Sequence, residues 1–560
     1  MPLFYYAECI DCGHKAPYDI KSPQCPRCGS EWREARYNYP ALAKMFQRQI
    51  ASRPFDLWRY RELLPIQQVN RDLAMGEGGT PLIRARNLGM MLGLPNLFIK
   101  DERQGPTTSF KDRQAALMIA CLKEAGVTEM VCASTGNVAI SYSAYASRAS
   151  IKLWAFLTSL VPAIKMREVA IYGTQVVKIT GSYDLTKRLA NQFSKQRGIF
   201  LDLGARSIPC VESMKTIAFE IAEQITSFIN ELHPEETQPT TWVAPDWYIQ
   251  SVSGGMGPLG VEKGFRELKL MGLIDKLPKL GLIQAEGCAP MVHAWIQNKD
   301  QATPVYSPHT RIETLATGDP GRTYTLLRKS MLERSGGEFE SVTDEEAFRS
   351  MHLLAKMEGL SVEPAAAVAF AGLIKLFRAG KIKPNETVVI NCTGHTVPVE
   401  RSILGEGWEH TVDVTKDEYK DDQEEGLLAA LANVSMDKFP KVAIVDDEPD
   451  VRKLIRRILQ SQGNYALVEA ANGKDAVDLI IQERPNLILL DLMMPDMDGF
   501  SVMDILQSRS ETREIPIIVI TAKELTPAEK NRLKGRIQSL MQKGNFLSDD
   551  LLDEVKSLTK

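Results

Sequence analysis

The chain has 560 residues, 44% apolar and 25% charged, with a formal net charge of −4. That length exceeds what one hydrophobic core supports, so two to four domains of ordinary soluble globular composition are expected. The slight acidic excess argues against nucleic-acid binding, no apolar run approaches the ~18–20 residues of a membrane helix, and the start MPLFYYAECIDC lacks a secretory pattern, so a cytoplasmic location is expected.

The first 35 residues form a short cysteine module. Cys9-x-x-Cys12 and Cys25-x-x-Cys28 are separated by twelve residues, giving two knuckles that can aim four thiolates at one ion. Gly13 and Gly29 follow the second thiol of each pair, where the knuckle turn favours positive φ. Four filled tetrahedral positions imply structural Zn²⁺ with no open coordination site. Cys121, Cys132, Cys210, Cys288 and Cys392 stand singly and read as inert core residues.

Residues 36–75 are rich in arginine, with helices expected. From 76 to about 408, strand-like runs (LFIK, MVCAST, KLWAFL, QVVKIT, LIQAEG, TVVINCTG) alternate with helical stretches. That is the signature of parallel sheets covered by helices, here in two lobes. Residues 411–440 change character: TVDVTKDEYKDDQEEG carries seven acids against two lysines and reads as a solvated linker, followed by a short helix around LLAALANV. From Lys441 a second alternation begins, with KVAIVD, NYALVEA, LILLDL, IPIIVIT and SLMQK as five strands of a doubly wound domain. The expected organisation is therefore 1–35 cysteine module, 36–410 two-lobed α/β domain, 411–440 linker and 441–560 small α/β domain.

Several segments of the large domain carry chemistry. Lys111 follows a strand and the small-residue turn GPTTS, a setting in which an amine can be desolvated and lose its proton near neutrality. Ala133-Ser134-Thr135-Gly136-Asn137 can wrap a carboxylate with N–H groups at a helix start. Ser253-Gly254-Gly255-Met256-Gly257 permits close backbone approach to a phosphate, and no G-x-x-x-x-G-K-[ST] nucleotide loop is present. Thr393 ends a strand. In the last domain, Asp446, Asp447, Asp491, Thr521 and Lys543 all fall at carboxyl ends of expected strands, where open α/β sheets place ligands. The three carboxylates could bind Mg²⁺ through oxygen.

Together GEGGTPL (76–82), KDERQGPTTSFKDR (100–113), ASTGN (133–137), MKTIAFEI (214–221), IQAEG (283–287), ETLATGDP (313–320), VEPAAA (362–367) and CTGH (392–395) resemble the threonine synthase branch of the tryptophan-synthase-β-like enzymes. The cysteine module resembles the zinc ribbon found on many members. The resemblance covers roughly 400 residues and implies a fold type II pyridoxal 5'-phosphate enzyme, a homodimer in the family. It implies that Lys111 holds the cofactor covalently and then removes the substrate α-proton. Asn137 would bond the ring hydroxyl, Ser253 to Gly257 would hold the phosphate, and Thr393 would face the pyridine nitrogen. Ser134, Thr135, Gly136 and Asn137 would bind the substrate carboxylate. Threonine synthases convert O-phospho-L-homoserine and water to L-threonine and phosphate.

Two departures bear on the substrate. Val138 stands where the family has a hydroxyl. SIPCVESMKT is one residue short, with Ile208 and Val211 near places that carry phosphate donors in the family. Two other readings follow from these gaps: an elimination or replacement enzyme acting on another amino acid, or a signalling protein whose enzyme half serves as sensor or scaffold.

The last ~115 residues resemble response-regulator receiver domains. The resemblance implies that Asp491 accepts a phosphoryl group from a histidine kinase or phosphotransfer protein. Asp446 and Asp447 would hold Mg²⁺ with Asp491, while Thr521 and Lys543 would contact the phosphoryl group. Gly544 replaces the family's proline, and Leu540 stands where many members carry a switch aromatic.

Overall fold

The computed structural model describes residues 5–134, 136–159, 161–180, 183–232, 241–395, 440–462, 465–522, 525–543 and 548–559. The acidic segment 411–440, apart from Pro440, lies outside them, as do its expected short helix, Thr135 and Gly544. The chain falls into two compact units: Met1–Ala85 with Asn96–Met351 and Ser361–Thr396, and Arg86–Pro95 with His352–Leu360 and Val397–Lys560.

In the first unit, three antiparallel strands form the cysteine module: β1 (Tyr5–Cys9), β2 (Lys15–Ala16) and β3 (Arg33–Tyr37), in the order β2-β1-β3. Gly13 and Gly29 adopt φ of +67° and +73°, as the knuckle turns require.

Two further sheets make the lobes. The larger has the order β12-β11-β10-β13-β5-β4, from β4 (Leu82–Arg84), β5 (Leu97–Asp101), β10 (Trp247–Ser251), β11 (Lys279–Ala285), β12 (Gly337–Val342) and β13 (Val388–Cys392). Only the β4–β5 pair is antiparallel. The smaller is parallel throughout, β8-β7-β6-β9, from β6 (Glu129–Ser134), β7 (Lys152–Thr158), β8 (Gln175–Ile179) and β9 (Phe200–Leu201). β10 and β13 are buried along their whole length, the pattern of parallel strands covered on both faces. Strands β4, β9, β10 and β12 were not among the sequence expectations. β10 escaped because WYIQS neither alternates nor forms a long apolar run.

The core of the larger lobe gathers Phe98, Phe219, Tyr248, Leu282 and Phe339; that of the smaller gathers Leu117, Met130, Tyr142 and Leu153. Helix Lys111–Glu124 is buried continuously from Asp112 to Leu122, which explains its alanine-rich, weakly amphipathic sequence.

The second unit contains five parallel strands, β14 (Lys441–Val445), β15 (Ala466–Ala470), β16 (Leu487–Leu490), β17 (Ile517–Thr521) and β18 (Ser539–Gln542). Their order, β15-β14-β16-β17-β18, is the 2-1-3-4-5 arrangement of flavodoxin-like folds. The fold class is therefore α/β throughout its two larger parts, with a small cysteine-bearing β module. Among the described residues, no helix is long and apolar enough to cross a membrane.

Candidate functional site

The site of the first unit is assembled at the carboxyl end of β13. Beyond Cys392 the backbone meets the loop before Lys111: Phe110 N–H donates to Thr393 O at 3.0 Å, and His395 N–H donates to Thr108 O at 3.0 Å. Thr108 adopts φ of +59°, an uncommon left-handed conformation held by this stitching. Asp112 accepts from Thr107 N–H at 2.8 Å and from its hydroxyl, fixing the turn from the other side. Burial pushes the Asp112 carboxyl up to about 6, against the pull of those donors.

Lys111 thus opens its helix beside Thr393, with its amine 4.1 Å from the Phe110 ring centroid. Desolvation by burial lowers this amine to about 8, against the opposing pull of Cys210, Asp202 and Glu363. A neutral amine near physiological pH is what a carbonyl-capturing lysine requires.

Asn137 begins helix Asn137–Ala149. Its Nδ2 donates to both oxygens of Glu363, at 3.0 and 2.9 Å, and its Oδ1 accepts from Lys165 Nζ at 3.0 Å. Glu363 N–H donates to Gly394 O at 3.1 Å, closing the circuit back to the loop beside Lys111. A Cβ on Gly394 would lie 2.6 Å from Glu363 Oε1, so a larger residue there would displace that carboxylate. Ser134 Oγ accepts from Gly136 and Ala139 N–H groups at 3.0 and 3.2 Å, which caps the helix while leaving its proton free to donate.

The glycine loop follows β10. Gly255, at φ of +84°, is the N-cap of helix Met256–Leu270, so the unpaired N–H groups of the first turn face outward from the loop. A Cβ at Gly255 would meet Thr323 Cγ2 at 2.6 Å, and one at Gly257 would meet Gln250 Nε2 at 2.6 Å and the Phe110 ring at 3.0 Å. Phe110 therefore links the loop to Lys111. Ser253 and Thr317 hydroxyls lie 2.6 Å apart.

The structure thus brings Lys111, Thr393, Asn137, Ser134 and Gly136 to one region, with Ser253 to Gly257 against its edge. These groups fit pyridoxal phosphate: a depressed lysine, a helix N-terminus with a glycine cradle, and a buried Ser109 Oγ that has no hydrogen-bond partner among the described residues. Glu363, Lys165 and Thr317 join the site without being marked as site residues in the sequence. Glu363 and Thr317 lay in quoted motifs, VEPAAA and ETLATGDP; Lys165 carried no local signal.

The four module cysteines form a second cluster, with ligand atoms all within 4.8 Å of one another. Cys9 and Cys28 sulfurs lie 3.5 Å apart, and those of Cys12 and Cys25 3.7 Å. Tetrahedral Zn–S bonds of about 2.3 Å separate sulfurs by about 3.8 Å, so the set fits zinc. Purified protein is expected to hold about one zinc ion per chain by plasma mass spectrometry. Cys25→Ser should remove most of it and expose the module to proteolysis; full zinc occupancy in that variant would refute the four-thiolate site.

In the second unit, Asp446, Asp447, Asp491, Thr521 and Lys543 sit at the carboxyl ends of β14, β16, β17 and β18. Carboxylate oxygens of the three aspartates lie within 4.8 Å of one another, compatible with octahedral Mg²⁺. Lys543 Nζ lies 2.8 Å from Asp446 and 2.7 Å from Asp491. Burial opposes its charge, yet hydrogen bonds to those two carboxylates hold its ammonium well above the usual range. Burial pushes the Asp446 carboxyl up, against Lys543. Leu540 on β18 is 43% exposed.

Residues 73–394 match the family model described as pyridoxal-phosphate dependent enzyme, and 442–556 match the response regulator receiver domain. The threonine synthase of Methanocaldococcus jannaschii is 35% identical over 389 residues, covering 69% of this chain and 91% of that protein. The threonine synthase of Methanosarcina acetivorans is 32% identical over 409 residues, covering 73% and 96%. Among solved structures, holo diaminopropionate ammonia lyase from Escherichia coli superposes with a TM-score of 0.50 at 15% identity, covering 66% of this chain and 92% of that one, a likeness of fold.

Proposed function

The chain belongs to the pyridoxal-phosphate dependent enzymes and carries a response-regulator receiver domain, and from that premise we propose that it is a threonine synthase under phosphorelay control. It converts O-phospho-L-homoserine and water to L-threonine and phosphate. The observation that carries this reading is the set of hydrogen bonds that ties Phe110, the residue before Lys111, to Thr393, and the neighbouring Gly394 through Glu363 to Asn137, in a chain whose threonine synthase relatives match it along most of their own length.

Bound pyridoxal phosphate supplies the electron sink that stabilises negative charge on the substrate α carbon. Lys111, already inclined to be neutral, holds the cofactor and then takes and returns the α-proton. Ser253 to Gly257 would hold the cofactor phosphate, and Asn137 would hold the ring hydroxyl. Thr393 would lie against the ring nitrogen, where a hydroxyl could not enforce protonation as an aspartate would. Ser134, Thr135 and Gly136 bind the substrate carboxylate with Asn137. Lys165, 3.0 Å from Asn137, also lies 3.8 Å from Glu363, so the two charges balance at the same edge.

Purified enzyme with O-phospho-L-homoserine should release threonine and phosphate in equal amounts. Full cofactor loading without threonine formation would instead favour action on another amino acid. That second reading draws on Val138, Ile208 and Val211, none of which can donate to a phosphate from its side chain.

The receiver completes the proposal. A histidine kinase or phosphotransfer protein passes its phosphoryl group to Asp491, with Mg²⁺ on Asp446, Asp447 and Asp491. Acetyl phosphate with Mg²⁺ should label the wild type with about one hydroxylamine-sensitive phosphoryl group per chain, and Asp491→Asn should abolish the label. Unchanged labelling in that variant would place the acceptor elsewhere. Unchanged turnover and assembly on full phosphorylation would refute control through the receiver.

A further inference from the structure

The cysteine module touches the enzyme beside the cofactor loop by two routes. The first starts at Asp11, between Cys9 and Cys12. Arg322 grips its carboxylate with both Nη atoms, at 2.9 and 2.6 Å, and lies 5.5 Å above the Trp32 ring, also of the module. Arg322 is the first residue of helix Arg322–Ser330. The next residue, Thr323, packs its methyl against Gly255 so closely that no Cβ fits there. The turn before it is set by Asp319, which accepts from Gly321 N–H at 2.9 Å. Upstream, the Thr317 hydroxyl lies 2.6 Å from that of Ser253. The stretch from Thr317 to Thr323 therefore backs the glycine loop, and its far end is fastened to the first knuckle.

The second route runs through β3 to the helix that Gly255 caps. Lys263 on that helix donates to Ala35 O at 2.7 Å. Tyr37 donates to Glu212 at 2.8 Å, and Glu212 also pairs with Lys263 and Lys215. Glu267 closes the buried cluster, 2.8 Å from Lys215.

We propose that the zinc-bound module acts as a retention brace for the cofactor: Asp11 and Arg322 seat Thr317–Thr323 against Ser253–Gly255, so that zinc in the module and pyridoxal phosphate in the loop favour one another's binding. Arg322 and Asp11 are positioning residues in this account, since neither touches the cofactor. A knuckle folded around zinc presents Asp11 at a fixed place; without the ion that half of the ion pair loses its support. Thermodynamic linkage then requires reciprocity, with the cofactor tightening zinc by the factor by which zinc tightens the cofactor. The inference rests on the zinc and cofactor-loop readings given above.

The test uses the full-length holoenzyme. Release of pyridoxal phosphate is followed by loss of its protein-bound visible absorbance under dilution and dialysis, and zinc is counted by plasma mass spectrometry. Arg322→Ala should speed cofactor release by about threefold to tenfold while zinc stays bound. Asp11→Ala should do the same, and the double variant should be no faster than either single one. Arg322→Lys keeps the charge without the two-pronged grip and should recover only part of the effect. Stripping zinc with a chelator should speed release in the wild type and add less in Arg322→Ala, where only the route through β3 remains. The brace is overturned if Arg322→Ala releases cofactor within twofold of the wild type, if the two substitutions add, or if stripping zinc acts equally in both proteins. A folded, loaded enzyme without zinc overturns it through the metal reading, and an enzyme that never takes up the cofactor overturns it through the loop reading, so the three failures are told apart.

Discussion

Lys111→Ala is expected to lower turnover by at least about a thousandfold and to remove the visible absorbance of lysine-bound cofactor. The fold should survive, because the substitution removes an amine that burial already disfavours as a cation. Desolvation brings that amine to about 8. At pH 7 about one in ten such amines is neutral, against about one in three thousand at the ordinary value of 10.5. Reloading of cofactor-free enzyme should therefore speed up about tenfold per pH unit below 8 and level off above it. The stability of the cofactor-free form carries the same signature. The folded chain sheds this proton near 8 and the unfolded chain only near 10.5, so the contribution is absent below 8, grows between the two values and is complete above them. Ellipticity at fixed denaturant across that range, compared with Lys111→Ala, isolates the term. A variant that keeps more than a tenth of wild-type turnover would remove Lys111 from the chemistry.

The features legible in the sequence are those written in the local backbone. Lys111, Asn137 and the receiver aspartates each follow a strand-like run and open a helix or turn, and the SGGMG loop is marked by its own glycines. Parallel sheets put such positions at one edge whatever the intervening chain does. The knuckle spacing is equally local. Glu363 and Lys165 were hidden for the opposite reason: they reach Asn137 from 226 and 28 residues away. Glu363 has a local explanation of its own, standing just before Pro364 at a helix start. Nothing local distinguishes Lys165 from a surface lysine. The brace from Asp11 to Arg322 spans 311 residues and depends on how the module docks, which no periodicity records.

The same limit hid the charged group beneath the site. Lys100 on β5, Glu102, Arg113 and Glu220 are all buried, against the ordinary rule for charged residues. Lys100 Nζ lies 2.7 Å from Glu220. Arg113 reaches Glu220 at 2.5 and 2.8 Å and Glu102 at 2.7 and 2.8 Å. Lys100 also donates to Thr80 O at 2.5 Å. Two positive and two negative charges are balanced there out of water.

Glu220→Ala should therefore cost about 3–5 kcal/mol, because it leaves Lys100 and Arg113 sharing one carboxylate with no access to solvent. For a unit of this size that is a fall in Tm of roughly 4–6 °C. Burial by itself pushes the Glu220 carboxyl up, but Arg113 and Lys100 outweigh it and hold it at about 2. The stabilisation is then fully present above about pH 4.5 and is lost as pH falls from there towards 2. The wild type should lose stability across that window more steeply than Glu220→Ala does. Because Arg113 lies two residues past Lys111 on the same buried helix, the variant should also lose turnover at temperatures where it is still folded. A variant that matches the wild type in Tm, in its acid limb and in turnover would mean that the buried charges neither stabilise the fold nor hold the lysine in place.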